Sequence, residues 1–161
     1  MSYNRGRGSI TCAFVKNGID FEYSTYNFTD SSRNVEIEVG NIHMIGIHMS
    51  GDATRIGDWD KLINRVKEKK DNKVLIMGDL NTFDEGTPRI EKLRELLSHG
   101  FCDVWLKQGN KHETPTFNTD KRIDYVITSD SLYRDITGVD ILHDIRLNKH
   151  TDHSAVTVEL S

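Results

Sequence analysis

Proline is scarce in this sequence, with only Pro88 and Pro115 in 161 residues, so the chain holds no proline-rich linker or polyproline segment. Cysteine is equally rare. Cys12 and Cys102 stand far apart, each among apolar residues and outside any CxxC spacing, which excludes a disulfide scaffold and a cysteine-built zinc site. Two buried free thiols are the expectation. Nowhere do about 18 apolar residues run together, so no membrane-spanning helix is expected. A formal charge of −4 excludes a generally basic, nucleic-acid-coating surface, though not a local basic groove. Met1 to Gly8 has no apolar core of the kind an export signal needs, and a cytoplasmic location is the expectation. Repeats and low-complexity tracts are missing too.

What is present is the composition of a folded protein. Hydrophobic residues make up 36% and charged residues 29%, which is globular rather than disordered, and the length suits one domain spanning 1–161. The stretch Val74-Leu75-Ile76-Met77 is an apolar run of strand length. It ends in Gly78, where the backbone can turn or be closely approached. Asp79 and Asn81 follow two residues apart, and in an extended chain they project to the same side. A carboxylate and an amide there suit a hard cation and a phosphate. The same pair also suits an ordinary Asx turn.

Around this stretch the pattern is mostly strand after strand. Ser9 to Lys16 and Ile19 to Tyr26 read as a hairpin about the turn signal Asn17-Gly18. Val35 to Val39 alternates with Glu36 and Glu38 as a half-exposed strand would, and Ile42 to Met49 reads as a further strand. Trp59, Leu62, Ile63 and Val66 recur at helical spacing after Asp58, a candidate N-cap. Thr87-Pro88 opens a second helix whose apolar face is Ile90, Leu93, Leu96 and Leu97, and Gly100 ends it. Phe101–Leu106, Thr114–Asn118, Arg122–Thr128, Ile136–Leu142 and Ser154–Leu160 complete the strands. The order predicts an α+β layered fold rather than a strictly alternating one.

Several polar residues sit where strands end. His48 closes Ile45-Gly46-Ile47-His48, on the opposite face from His43, which reads as structural or exposed. Asp124 lies inside the apolar run Arg122-Ile123-Asp124-Tyr125-Val126, where a carboxylate is costly to bury unless paired. His153, just before the last strand, is a sensible partner, since a carboxylate fixes an imidazole's tautomer and favours its charged form. Asp152 is then free to bind a cation. Mg²⁺ keeps several waters and needs only one or two carboxylates. Asn118, in Thr116-Phe117-Asn118, and Arg122 are candidates for contact with a substrate phosphate.

Gly78-Asp79-Leu80-Asn81, Arg122-Ile123-Asp124-Tyr125 and Thr151-Asp152-His153-Ser154, in that order, resemble the endonuclease/exonuclease/phosphatase superfamily. DNase I-like nucleases, apurinic-site endonucleases, sphingomyelinases and inositol polyphosphate phosphatases belong to it. The resemblance covers roughly Arg7 to Leu160 and implies a DNase I-like four-layer α/β/β/α sandwich. It implies catalytic roles for His48, Asp79, Asn81, Asp124 and His153, with Asp152 and Asp79 at a Mg²⁺ or Mn²⁺ site. Asp79 would orient or deprotonate the attacking water, Asn81 would hold a phosphate oxygen, and His153, polarised by Asp124, would bond the scissile phosphate.

In one respect the sequence departs from the family pattern. An N-terminal strand with a metal-contacting Asn and a following Gln-Glu strand have no counterpart here; Glu22, Glu36 and Glu38 lie in other segments. The expectation is a C-terminal portion or an N-terminally shortened form. Its exposed sheet would be covered by a missing N-terminal segment or in a homodimer. The implied activity is divalent-metal-dependent hydrolysis of a phosphodiester, nucleic acid foremost. The alternatives are a non-catalytic binding module, and a phosphomonoesterase or lipid phosphodiesterase of the same fold.

Overall fold

The computed structural model describes residues 11–24, 33–69 and 72–161. Six strands form one sheet in the order β1-β2-β3-β4-β6-β5: β1 (Glu22–Ser24), β2 (Asn34–Val39), β3 (Ile42–His48), β4 (Lys73–Asp79), β5 (Phe101–Asp103) and β6 (Asp124–Ser129). Within it β3 and β4 run parallel and every other neighbouring pair is antiparallel. Two further strands, β7 (Ile136–Leu142) and β8 (Ala155–Leu160), pair antiparallel as a separate small sheet. The helices are α1 (Gly57–Glu68), α2 (Pro88–Ser98) and the single turns α3 (Val104–Lys107), α4 (Asp130–Tyr133) and α5 (Asp144–Leu147).

Strand alternation sorts the side chains into two cores. Ile45, Ile47, Val74, Ile76, Tyr125 and Ile127 face α1 and α2, where they meet Trp59, Leu62, Ile63, Val66, Ile90, Leu93 and Leu96. Leu75 and Val126, on the opposite face, meet the small sheet through Val139, Val156, Val158 and Leu160. The described residues thus form an α+β arrangement of helices, large sheet and small sheet. The second sheet of the expected sandwich is represented by β7 and β8 alone among them.

Most predicted elements are present, and the differences have physical causes. Asn17-Gly18 does form a turn, with Gly18 at φ +89°, but 11–16 is not a strand. Thr11, Cys12 and Ala13 lie against the sheet beside Gly46 and Met77, whereas Phe14 is 94% exposed, and an isolated two-stranded ribbon is marginal in water. Residues 9–10 and 25–26 of the predicted hairpin lie outside the described residues. Glu36 was expected half-exposed and is instead fully buried on the helix side of β2. There Arg65 of α1 bonds both of its oxygens, and His43 Nε2 approaches at 2.9 Å. Burial pushes the Glu36 carboxyl up, but the His43 and Arg65 contacts more than offset this and hold it down at about 2. His43 is accordingly a buried structural residue.

Asp58 sits in the first turn of α1 rather than at its cap and pairs with Arg55 and Lys61. The strand predicted over Phe101–Leu106 stops at Asp103, whose side chain caps α3 by accepting from the Leu106 N–H. The two cysteines are free as expected, but Cys12 is exposed and Cys102 only half-buried. No helix among the described residues is long and apolar enough to cross a membrane.

Gly78 is the tightest point of the sheet. It holds φ +138°, and a Cβ there would lie 1.9 Å from the carbonyl oxygen of Ile47, its partner on β3. Only glycine allows β4 to pass β3 at this distance. Gly78→Ala should therefore cost more than about 3 kcal/mol, the range of backbone strain combined with a core clash. A thermal or denaturant melt checks it, and a variant that melts within a few degrees of the parent protein would contradict the clash.

Candidate active site

The register of three neighbouring strands places the site. His48 is opposite Asp79 across the parallel β3/β4 pair, and Asp79 is opposite Asp124 across the antiparallel β4/β6 pair. By alternation all three project away from α1 and α2, toward the small sheet. One row across the sheet thus carries an imidazole and two carboxylates. It lies at the rim where β3 and β4 end and β6 begins.

Each member is held by its own neighbours. Asp79 accepts from the Asn81 backbone N–H at 2.8 Å and from Asn81 Nδ2 at 2.9 Å. Asn81 Nδ2 also donates to the Met49 carbonyl at 2.9 Å, and the residue adopts φ +48° to make these bonds. Both N–H donors of its amide are engaged in these bonds, so Asn81 holds Asp79 in place. His48 Nε2 lies 3.6 Å from Asp79 Oδ2, close enough for charge to be felt but beyond a hydrogen bond. Asp124 is fixed from behind by the buried Thr116 hydroxyl, which accepts from the backbone N–H groups of Ile123 and Asp124 at 3.0 and 3.1 Å. Its Oδ2 meets His153 Nδ1 at 2.9 Å, the carboxylate–imidazole pair anticipated in the sequence. Phe117 bridges His153 through the backbone and sets its ring against the imidazole at 4.7 Å.

Electrostatics separates these groups. Burial raises the Asp79 carboxyl to about 6, with the Asp124 charge adding to it and the Asn81 bonds opposing. Burial lowers His48, helped by the positive charges of Arg33 and His153. The ring of His48 is therefore neutral at pH 7. Burial works against His153 too, but the hydrogen bond and charge of Asp124, with Asp79 and Asp152 behind, more than offset it and raise its pKa. A carboxyl poised near neutrality beside a stabilised imidazolium is a base and an electrostatic partner for an anion.

Asp152 is exposed, with the Thr151 hydroxyl at 3.5 Å from Oδ1, and Asn118 is tied to it through a backbone bond of 3.2 Å. Both stand at the same rim as the row. Arg122 does not. It is buried, with Nη2 bonded to Asp103 Oδ2 at 2.6 Å, Nε to the His112 carbonyl at 3.3 Å and the guanidinium over the Tyr125 ring. The expected phosphate contact is thus an internal ion pair. Arg33, Thr116 and Phe117 were given no role by the sequence reading. Nothing in the polar segments that hold them marks the long-range contacts they make.

For a divalent cation the donor set is open rather than closed. No three His, Cys, Asp or Glu side chains gather as a metal cage among the described residues. The oxygens of Asp79 are already hydrogen-bonded, while Asp152 remains accessible. A largely hydrated Mg²⁺ on one or two carboxylates fits this set; a zinc-like cage does not.

Two measurements follow from these charges. A carboxyl with a raised folded pKa holds its proton more tightly than the unfolded chain does. Its contribution to stability is therefore present below about pH 4 and is lost as pH rises to about 6. Asp79→Asn should then stabilise the fold at pH 7 by up to about 3 kcal/mol and leave it nearly unchanged at pH 4, as read by melts at both pH values. In Asp124→Asn, loss of the partner charge should lower the His153 pKa, as followed by the imidazole NMR signals. An unshifted His153 titration would contradict the pairing.

No protein-family model matches the sequence, and no curated protein matches it. Solved structures do match in shape. The 3′ phosphatase NExo from Neisseria, bound to a product DNA hairpin, aligns with a TM-score of 0.72 at 14% identity, covering 91% of this chain and 72% of that one. An AP endonuclease from Archaeoglobus fulgidus aligns at 0.73 and 14% identity, over 89% of this chain and 70% of that one. The 3′-5′ exonuclease NExo from Neisseria meningitidis aligns at 0.68 and 15% identity, over 89% and 71%. Identity this low carries fold and not activity. Over about 90% of its length, the chain shares the DNase I-like fold of exonuclease, AP endonuclease and 3′-phosphatase structures.

Proposed function

We propose that this protein hydrolyses phosphodiesters with a divalent cation, and that its substrate is nucleic acid. The observation that carries the reading is the row His48–Asp79–Asp124 with His153 bonded to its end, at the rim of a DNase I-like sheet. Phosphoryl transfer needs positioned reactants and neutralised charge more than covalent help from the protein. Asp79, with its carboxyl near 6, orients the attacking water and takes its proton. His153, kept protonated by Asp124, offers its outer N–H to the phosphate and offsets the charge that develops there. Neutral His48 lies on the other side of Asp79, within reach of a phosphate or leaving-group oxygen. A Mg²⁺ or Mn²⁺ ion would be held by Asp152 and Asp79 and would supply charge neutralisation at the phosphate.

Nucleic acid is favoured because one of the similar structures has DNA bound, and the Arg33 charge lies close enough to be felt by His48. With Mg²⁺ or Mn²⁺ the protein should cleave an oligonucleotide and bis(p-nitrophenyl) phosphate. Asp79→Ala and His153→Ala should each lower kcat about a hundredfold or more. Cleavage that survives both substitutions rejects the assignment. Calorimetric silence toward both metals would instead support a scaffold that binds without cleaving.

A further inference from the structure

Beside the row, and outside it, a cavity of about 690 Å³ opens between Asn118, Arg146, Leu147, Lys149, Thr151 and Asp152. Its volume suits a small organic ligand rather than a bare ion, since such sites run to about 300–1,000 Å³. The walls come from α5 and from the stretch that leads on to His153. Nothing in the proposed reaction uses Arg146, Leu147 or Lys149.

Arg146 is fixed to the parts that hold the imidazole. Its Nε donates to Ser154 Oγ at 3.0 Å and its Nη1 to the Phe117 carbonyl at 3.4 Å. Ser154 follows His153 in the chain, and Phe117 packs against its ring. A guanidinium carries five N–H donors, so donors remain for a ligand. Lys149 adopts φ +58°, with its N–H on the Arg146 carbonyl at 2.9 Å, and this fold-back brings both cations to one cavity. Between them Leu147 is 66% exposed. A single exposed leucine is ordinary on a protein surface. One flanked by two cations on a cavity wall offers apolar contact next to an anion site. Asp152 is the one carboxylate of the lining, so an anion would lie on Arg146 and Lys149.

From this arrangement we infer that the cavity is a nucleotide subsite. It takes the nucleotide next to the scissile phosphate, with that nucleotide's own phosphate on Arg146 and Lys149 and its sugar or base against Leu147. The inference rests on the phosphodiesterase reading of the row, and it assigns part of substrate recognition to α5 and the loop after it.

The test uses the intact chain, two substrates and one binding probe. Bis(p-nitrophenyl) phosphate has no flanking nucleotide and serves as the reference against an oligonucleotide. Lys149→Glu and Leu147→Ser should each lower the ratio of kcat/KM for the oligonucleotide over the small diester about tenfold, mainly through KM. Separately, adenosine 5′-monophosphate titrated without metal into isotopically labelled protein should shift the amide signals of residues 146–152. Lys149→Glu should weaken that binding about tenfold. A ratio unchanged in both variants, or a nucleotide that leaves 146–152 unperturbed, overturns the subsite. If the parent protein cleaves neither substrate, the reaction assignment fails and the nucleotide titration alone decides the subsite.

Discussion

The hydrogen-bonded ladder that joins β3, β4 and β6 sets everything at the rim. Side chains on a sheet are spaced by backbone pairing, so His48, Asp79 and Asp124 owe their proximity to register and not to flexible loops. The register in turn depends on Gly78, where β4 passes so near the Ile47 carbonyl that no side chain fits. Two cores hold the ladder between them, helices on one face and the small sheet on the other. A one-residue slip of β4 would send Asp79 into the helix core and bring Leu80 to the rim.

Identical side-chain types behave differently across this row because their surroundings differ. Asp79 is desolvated and has the Asp124 charge nearby, so its ionisation is costly in spite of the Asn81 hydrogen bonds that favour it. Asp124 faces an imidazole and spends its charge there. Of the two histidines, His48 is lowered by burial and by the charges of Arg33 and His153, whereas the carboxylates around His153 outweigh its burial and raise it. Titratable groups pushed apart in this way take different parts in proton transfer. The raised carboxyl also means that the sheet carries a destabilising charge at neutral pH, as active sites commonly do.

Much of this was legible in the sequence for a definite reason. Gly78-Asp79-Leu80-Asn81, Arg122-Ile123-Asp124 and Thr151-Asp152-His153 all lie at or beside strand ends, where a polar residue interrupts an apolar run and stands out. The need of Asp124 for a partner follows from desolvation, and the choice of His153 from the chemistry of a carboxylate–imidazole pair. Residues with long-range partners were harder to read. Arg122 belongs to the same tetrapeptide as Asp124 but finds Asp103 in the interior, and the sequence contains no sign of that pairing. Glu36 alternates with apolar residues as a surface residue would, yet Arg65 lies on the helix that covers it. The arm at 11–16 has strand-like residues and a good turn, yet it lies against the sheet near Gly46 without forming a strand, which only the assembled fold reveals.

The parallel pairing of β3 and β4 has a wider consequence. Both strands deliver their chain exits to the same rim, and β6 enters the sheet there, so the segments around 49–56, 80–87 and 111–123 converge at one opening. Insertions, deletions or sequence drift in those segments alter what can approach the opening while the paired backbone beneath stays as it is. Such a scaffold can explore new ligands so long as Asn81, Thr116 and Phe117, which hold Asp79, Asp124 and His153, are kept.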